Sequence, residues 1–181
     1  EYSKGNTFLL FTSYSMLNKA YYTLRDDLTK DGYQLLVQGQ YPRHKLLDMY
    51  KNSEKPVLFG TDSFWEGVDV KGEKLKSVII FKLPFRVPSD PVVEATLEQI
   101  KKDGKNPFLE FQIPEAVIKF KQGIGRLIRS KDDEGMIVLL DSRIVNKRYG
   151  QKFIHSLPKD APIYVETKDQ FLEMLSRSKR R

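Results

Sequence analysis

Three residues near position 125 combine side-chain types and a spacing that suit the binding of phosphate. Gln122, Arg126 and Arg129 fall at i, i+4 and i+7, so a helix through them would carry an amide and two guanidinium groups on one face. Arg stays protonated, and its planar fork can hold phosphate oxygens through two hydrogen bonds. Gly123 and Gly125 are unfavourable inside a helix, which predicts that another group approaches this backbone closely. The alternative interpretation is a surface helix with solvated arginines and a packing glycine.

Hydroxyl side chains follow two apolar runs that are typical of buried strands. Thr12, Ser13 and Tyr14 end the run over residues 7–12, and Thr61 and Ser63 follow the run over residues 56–60. In an open α/β sheet, ligands bind beyond the carboxyl ends of the strands. These groups therefore predict contacts to nucleic-acid phosphates, which carry no sequence information. Capping of a helix is the alternative interpretation for the serine.

The segment after Ser63 adds aromatic and acidic side chains. Phe64 and Trp65 could offer a surface on which a base stacks. Glu66 and Asp69 place two carboxylates around a tight turn at Gly67, where they could accept from a ribose hydroxyl, pair with the arginines, or reach a metal through water. The alternative is a solvated acidic turn beside a core tryptophan.

A third strand end carries Asp141 and Arg143, which either orient the other arginines or form a local ion pair; the local pair is favoured. His44 and His155 have no Ser or Cys nucleophile arranged near them in the sequence, which indicates structural or exposed roles.

The elements that must position these groups alternate along the chain. Apolar runs predict strands over residues 7–12, 33–37, 56–60, 77–83, 136–140 and 163–166. Helical spacing predicts a helix ending at Gly32 and others over 43–52, 91–102, 143–157 and 169–177, with Pro114 in the first turn of the glycine–arginine helix. The pattern is less regular over 84–113, and 178–181 is expected to fray. Alternation of strand and helix predicts one α/β domain over residues 1–181 with a parallel sheet.

Composition narrows the class of protein and its partners. Lys and Arg number 31 against 24 Asp and Glu, a net charge of +7 that suits a polyanionic partner. With no cysteine, this segment holds no disulfide, thiolate zinc site or iron–sulfur cluster. The sequence has no apolar run near the roughly 20 residues of a membrane span, so no membrane partner is expected. The chain begins Glu-Tyr-Ser-Lys without Met, which suggests a piece of a longer protein.

Three segments in order resemble motifs IV, V and VI of superfamily 2 helicases: TSY at 12–14, TDSFWEGVD at 61–69 and QGIGRLIR at 122–129. Their wording is similar to the DinG/XPD branch, where the sixth motif is Q-x-x-G-R-x-x-R and the fifth contains W/S-E-G-x-D. The D-x-R at 141–143 and the LPF at 83–85 add to the resemblance, which covers residues 7–157. It implies a three-layer RecA-like domain, the second motor domain of such a helicase, with a mostly parallel sheet flanked by helices.

The resemblance also implies a nucleotide site shared between two domains. ATP with Mg²⁺ would lie between this domain and a first RecA-like domain of the same polypeptide, which would carry the Walker lysine and the acids that hold Mg²⁺. No G-x-x-x-x-G-K-[ST] occurs here, so the isolated segment is expected to be inactive. Arg126 and Arg129 would act as arginine fingers and Gln122 would sense the nucleotide. The residues assigned to the ATP cleft are Glu66, Gly67, Asp69 and Gly125, and no metal ligand is assigned.

Single-stranded DNA is the other implied partner, in the cytoplasm of a bacterium. The residues assigned to it are Thr12, Ser13, Tyr14, Thr61, Ser63 and Phe64. The leading interpretation is half of an ATP-dependent DNA helicase. Some DinG relatives of Gram-positive bacteria carry an N-terminal exonuclease domain, so the second interpretation is a nucleotide-sensing module that regulates 3'-5' degradation. A non-catalytic basic domain that binds nucleic acid is the third.

Overall fold

The central feature is a five-stranded sheet in which every described pairing is parallel. The structure is a computed structural model, and it describes residues 3–65, 74–86, 91–125, 127, 135–158 and 161–178. The strand order is β2-β3-β1-β4-β5, with Thr7 of β1 opposite Val57 of β3 and Ser77 of β4. The strands are β1 (Thr7–Leu10), β2 (Gln34–Val37), β3 (Pro56–Gly60), β4 (Ser77–Ile80) and β5 (Met136–Leu139). The predicted parallel sheet is confirmed.

Helices lie between and after these strands, and α2 and α4 have the predicted bounds. They are α1 (Tyr14–Lys30), α2 (Arg43–Asn52), α3 (Asp62–Trp65), α4 (Pro91–Lys102), α5 (Ile113–Ile124), α6 (Arg143–Asn146), α7 (Gly150–Ile154) and α8 (Lys168–Ser178). A π-helical turn over Phe108–Gln112 runs directly into α5, whose first turn contains Pro114. The less regular segment before α5 therefore holds one full helix and this turn.

Both faces of the sheet are buried, which makes the domain three layers thick. Along β1 and the residue after it, Phe8 and Leu10 point to one face while Leu9 and Phe11 point to the other, and all four are at most 5% exposed. One face packs against α1 through Leu17. The other face packs against side chains of α2, α3, α5 and α7, namely Leu46, Tyr50, Phe64, Trp65, Ala116, Phe120, Ile124 and Phe153. The predicted RecA-like layering is confirmed in this arrangement.

Two elements predicted after β5 are wrong. Residues 161–167 contain no strand, and Ile163, Tyr164 and Val165 are at least half exposed there, without a neighbouring strand among the described residues. The helix predicted over 143–157 is divided into α6 and α7. A Cβ at Gly150 would lie 1.9 Å from the carbonyl oxygen of Ile144, so the chain turns back on itself too tightly for one continuous helix.

Within the described part of the chain, no helix combines the length and the apolar character needed to cross a membrane. The last residues of the predicted frayed tail, 179–181, lie outside the described residues.

Candidate nucleic-acid and nucleotide interface

The helix that carries Gln122 ends earlier than predicted. Gly125 caps it, with its backbone N–H donating to the Lys121 carbonyl at 2.9 Å, and the Leu127 N–H donates to the Ile124 carbonyl at 2.9 Å in a turn. The prediction that this helix continues past Gly125 is therefore wrong, because Ile124 is the last residue of α5. Gln122 is exposed on the final helical turn. Arg126 and Arg129 lie outside the described residues.

The close approach predicted at the helix glycines is real at one of them, but its partner is a side chain of the core. A Cβ on Gly123 would lie 2.7 Å from Cε3 of Trp65. Trp65 is 0% exposed, and its indole N–H donates to the Phe11 carbonyl at 3.2 Å. Phe64 is 1% exposed. Neither ring offers a surface to a base, so the prediction of base stacking by Phe64 and Trp65 is wrong and the core interpretation holds.

Ser13 lies at the start of α1, directly after the central strand of the sheet. Its backbone is extended and its hydroxyl oxygen accepts from the Met16 N–H at 3.3 Å, which makes it the N-cap. The side chain is exposed, and Thr12 beside it is half-buried. Capping is confirmed, while the predicted contact of Ser13 with phosphate stays a prediction.

One side chain joins the ends of three strands. The amide nitrogen of Gln38, directly after β2, donates to the Tyr14 hydroxyl at 2.6 Å and to the Ser63 hydroxyl at 3.1 Å. Its amide oxygen accepts from the backbone N–H of Thr61 at 2.5 Å and from the Thr61 hydroxyl at 3.0 Å. The backbone of Gln38 is held as well, since its N–H donates to the Phe59 carbonyl at 2.9 Å.

Thr61 makes its hydrogen bonds inside the protein. It is 5% exposed, and both its hydroxyl and its backbone N–H donate to Gln38. The predicted contact of the Thr61 hydroxyl with DNA is therefore wrong in this arrangement, because the group is buried and its proton is occupied. Tyr14 and Ser63, by contrast, are exposed.

Sequence reasoning missed Gln38 and the start of α2. The rule that selected Thr12 and Thr61, a polar residue directly after an apolar strand, applies equally to Gln38 and would have found it. Cations lie near the same edge: the Arg43 guanidinium stands 5.8 Å from the centre of the Phe64 ring, and Lys45 Nζ stands 4.7 Å from the centre of the exposed Tyr41 ring. Both could add attraction for a polyanion.

Asp141 and Arg143 form the predicted local ion pair. The Arg143 Nη2 lies 2.6 Å from Oδ2 of Asp141, which is 8% exposed and also accepts from the backbone N–H of Leu83 at 2.9 Å. Burial alone would raise the pKa of Asp141, but the hydrogen bonds from Arg143 and Leu83 outweigh it, so the pKa lies below its ordinary value. The hydrogen bond to Asp141 raises the pKa of Arg143. This pair ties the ends of β4 and β5 together.

The remaining predicted site residues are described only in part. Glu66, Gly67 and Asp69 lie outside the described residues. Gly125 is exposed, and a Cβ there would lie 3.1 Å from the Lys121 carbonyl oxygen. His44 and His155 are both exposed. Across the described ranges, no three His, Cys, Asp or Glu side chains gather into a group that could hold a metal.

Comparison with known sequences identifies the family. Residues 1–160 match the family model described as Helicase C-terminal domain. The chain is 49% identical over 164 residues to the ATP-dependent DNA helicase DinG of Photobacterium profundum, covering 87% of this chain and 24% of that protein. It is 46% identical over 152 residues to the 3'-5' exonuclease DinG of Bacillus subtilis, covering 83% and 16%. The ATP-dependent DNA helicase YoaA of Haemophilus influenzae is 44% identical, covering 89% and 25%. The chain thus spans about a quarter or less of these relatives.

Solved structures with the same fold include other helicase domains. An XPD helicase superposes with a TM-score of 0.63 at 20% identity, covering 84% of this chain and 27% of that one. Domain 2 of the DEAD-box helicase Mss116p, in a structure with an RNA duplex, superposes with a TM-score of 0.51 at 16% identity, covering 96% and 57%. At these identities the likeness concerns the fold. Together with the family match, it shows that this chain belongs to the helicase C-terminal domain family, as a RecA-like domain of the DinG/XPD type.

Proposed function

We propose that this domain is the C-terminal motor half of an ATP-dependent DNA helicase or translocase of the DinG/XPD type. In this proposal it holds the backbone of single-stranded DNA at the carboxyl edge of the sheet, and it faces an ATP site that the first RecA-like domain of the same polypeptide completes. The support is the family match over residues 1–160, together with the exposed hydroxyls that gather at the ends of β1 and β3. Tyr14 and Ser63, with Ser13 and Thr12 beside them, form this proposed DNA edge.

The DNA edge suits a phosphodiester backbone rather than bases. Phe64 and Trp65 are buried, so the polar groups offered to a ligand there are hydroxyls, which can donate to phosphate oxygens. The net charge of +7 favours association with a polyanion at low salt. Binding of this kind is independent of sequence, as a motor that travels along arbitrary DNA requires.

The nucleotide side of the proposal concerns the residues after α5. Gln122 is exposed on the last turn of that helix, so it is accessible to a neighbouring domain. We assign Arg126 and Arg129 as arginine fingers, Gln122 as a nucleotide sensor, and Glu66, Gly67, Asp69 and Gly125 to the cleft. ATP with Mg²⁺ would supply the phosphoryl chemistry when bound, and the part of this chain would be to offer positive charge to the transferred phosphate.

The test of this function is Arg129→Ala in the full-length protein. Loss of an arginine finger should lower DNA-stimulated ATP hydrolysis by about 10³-fold or more while the affinity for single-stranded DNA is retained. Arg25→Ala is the matched control, because Arg25 is an exposed arginine that pairs with Asp26 on α1. Unchanged turnover in Arg129→Ala would remove the finger assignment.

A second function has specific support, because relatives of nearly equal similarity are named helicase and 3'-5' exonuclease. In the second case ATP binding would regulate degradation instead of driving unwinding. Carboxylate-rich exonuclease motifs elsewhere in the full-length sequence would favour it. The deciding measurement follows strand separation and nucleotide release from the 3' end in one reaction, with and without ATP. Unwinding without degradation supports the first function, whereas degradation that changes with ATP supports the second.

A further inference from the structure

Gln38 lies where the ends of β1, β2 and β3 meet, and it makes four side-chain hydrogen bonds there. Two are donated by its amide nitrogen, to Tyr14 and Ser63, and two are accepted by its amide oxygen, both from Thr61. A primary amide has two N–H donors and an oxygen with two lone pairs, so the whole capacity of this side chain is used.

The direction of these bonds is fixed by chemistry. The backbone N–H of Thr61 can only donate, so the Gln38 atom that faces it at 2.5 Å must be the oxygen. The amide nitrogen therefore faces Tyr14 and Ser63. Both hydroxyl oxygens act as acceptors toward the protein, and neither hydroxyl donates to another group among the described residues.

This polarity has a consequence for the ligand. A hydroxyl that accepts from an amide keeps its own proton, and phosphodiester oxygens can only accept hydrogen bonds. We infer that Gln38 is a positioning residue that holds the Tyr14 and Ser63 hydroxyls as a pair of outward donors to the phosphate oxygens of a nucleic-acid strand. This inference rests on the proposed function and deepens it. It assigns two donors and the group that sets their direction.

The same geometry explains why Thr61 is different. Its hydroxyl proton points inward to the Gln38 oxygen, and its side chain is 5% exposed. Thr61 holds Gln38 in place, Gln38 in turn holds Tyr14 and Ser63, and the ligand is met by the last two. The backbone supports this order, because Gln38 is anchored to Phe59 and the turn after it uses Gly39 at a φ of +99°, in the left-handed region that favours glycine.

Gln38→Glu tests the polarity, because it keeps the shape and the acceptor for Thr61 but removes the donor. The Tyr14 and Ser63 protons should then turn inward to the carboxylate, which removes two donors from the ligand. We expect the Kd for a fluorescein-labelled oligo(dT) of about 20 nucleotides to rise about 10- to 100-fold by anisotropy, the scale of two ordinary hydrogen bonds. Gln40→Glu is the matched control, an exposed glutamine on the same loop that adds the same charge without these bonds.

A second set of variants measures the energetic coupling between Gln38→Glu and the Tyr14 and Ser63 hydroxyls. A purely structural role of Gln38 would not produce this coupling. In a Tyr14→Phe, Ser63→Ala background there are no hydroxyls left to reorient, so Gln38→Glu should weaken binding only as much as Gln40→Glu does. Thermal unfolding reports folding of each variant. Gln38→Met, which leaves the Thr61 N–H without a partner, should lower the melting temperature, whereas Gln38→Glu should not.

Three outcomes test the proposed role of Gln38. A large effect of Gln38→Glu that disappears in the hydroxyl-free background supports the inference. An effect equal to that of Gln40→Glu, or one of the same size in both backgrounds, overturns it. If the wild-type chain and the full-length protein both fail to bind oligo(dT), the proposed DNA edge itself is wrong and the inference falls with it.

Discussion

The carboxylate of Asp141 accepts a hydrogen bond from the backbone N–H of Leu83 at 2.9 Å, so a buried charge joins the chain after β5 to the chain after β4. Arg143 covers the other side of the same carboxylate, and its guanidinium stands 5.3 Å from the centre of the Phe85 ring. These contacts fix the segment LPF beside the aspartate, although the two are far apart in sequence.

Asp141→Asn should lower the free energy of unfolding by about 1–3 kcal/mol, because the neutral amide cannot satisfy both Leu83 and Arg143. The ion pair itself contributes little of this, since the Arg143 side chain is 38% exposed and solvent screens it. Chemical denaturation at neutral pH measures the difference. Asp26→Asn is the control, because Asp26 is 86% exposed in a surface pair with Arg25 and should change stability little.

The effect of Asp141→Asn should also depend on pH. The pKa of Asp141 is lowered in the folded protein from its ordinary value of 3.8, so its contribution to stability is complete above that value and is lost as pH falls through the folded pKa. The stability difference between wild type and Asp141→Asn should therefore be constant from neutral pH to about pH 5 and shrink below pH 4. A difference that stays constant down to pH 2 would contradict this account.

Gly123→Ala should destabilise the domain by about 1–3 kcal/mol, because the added methyl group would lie 2.7 Å from the buried ring of Trp65. Lys121→Ala, an exposed position on the same helix, should change stability by less than about 0.5 kcal/mol. Combining Gly123→Ala with Trp65→Phe should cost less than the sum of the two single changes, since the smaller ring leaves space for the methyl. Additive costs would show that the two residues do not compete for the same space.

The fluorescence of Trp65 distinguishes a core residue from a base-stacking one, because it is the single tryptophan of this chain. Its emission should resist quenching by acrylamide in the folded domain and become quenched in guanidinium, since the ring is 0% exposed. Addition of saturating oligo(dT) should leave the emission unchanged. Strong quenching by the oligonucleotide would show that a base reaches the ring.

Ser13 has two roles that substitution can separate. Ser13→Ala should lower stability by about 0.5–2 kcal/mol through loss of the cap on the Met16 N–H. Ser13→Asp keeps a capping oxygen, so its melting temperature should be near that of wild type, but its negative charge should weaken oligo(dT) binding if phosphate lies there. Asn18→Asp, exposed further along α1, is the matched control for the added charge. Equal affinities for the two aspartate variants would leave Ser13 as a cap alone.

The sheet and most helices follow from local sequence because their patterns are strong. Buried runs such as residues 7–10 and 56–60 have no polar interruption, and α2 and α4 begin at or next to a proline with apolar spacing behind it. The segment 163–166 has the same local character as a strand, yet pairing is a tertiary property that composition cannot supply. The tight turn that brings Gly150 against Ile144 spans only six residues, but the apolar spacing of the segment does not reveal it.

The exposed residues of the candidate site could be predicted from their position after a strand. The buried residues could not, because sequence position does not show which side chains face inward. Tyr14 and Ser63 are exposed at strand ends, as a polar residue after a strand suggests. Thr61 and Phe64 belong to the same short segment but face inward, because the chain turns into α3 immediately after β3. Sequence spacing gives no direct measure of that rotation. Gln38 was not assigned to the site, although its side chain holds the Tyr14 and Ser63 hydroxyls.

The close packing of Trp65 against Gly123 also predicts which residues occur together at these two positions in relatives. Position 65 is W or S in the pattern of the fifth motif, and position 123 is unspecified in that of the sixth. The steric relation predicts that relatives with tryptophan at the first position carry glycine at the second, whereas relatives with serine there accept alanine or a larger residue. Residues of two different motifs would then change as a pair, and a larger residue at one position would persist only where the other is small.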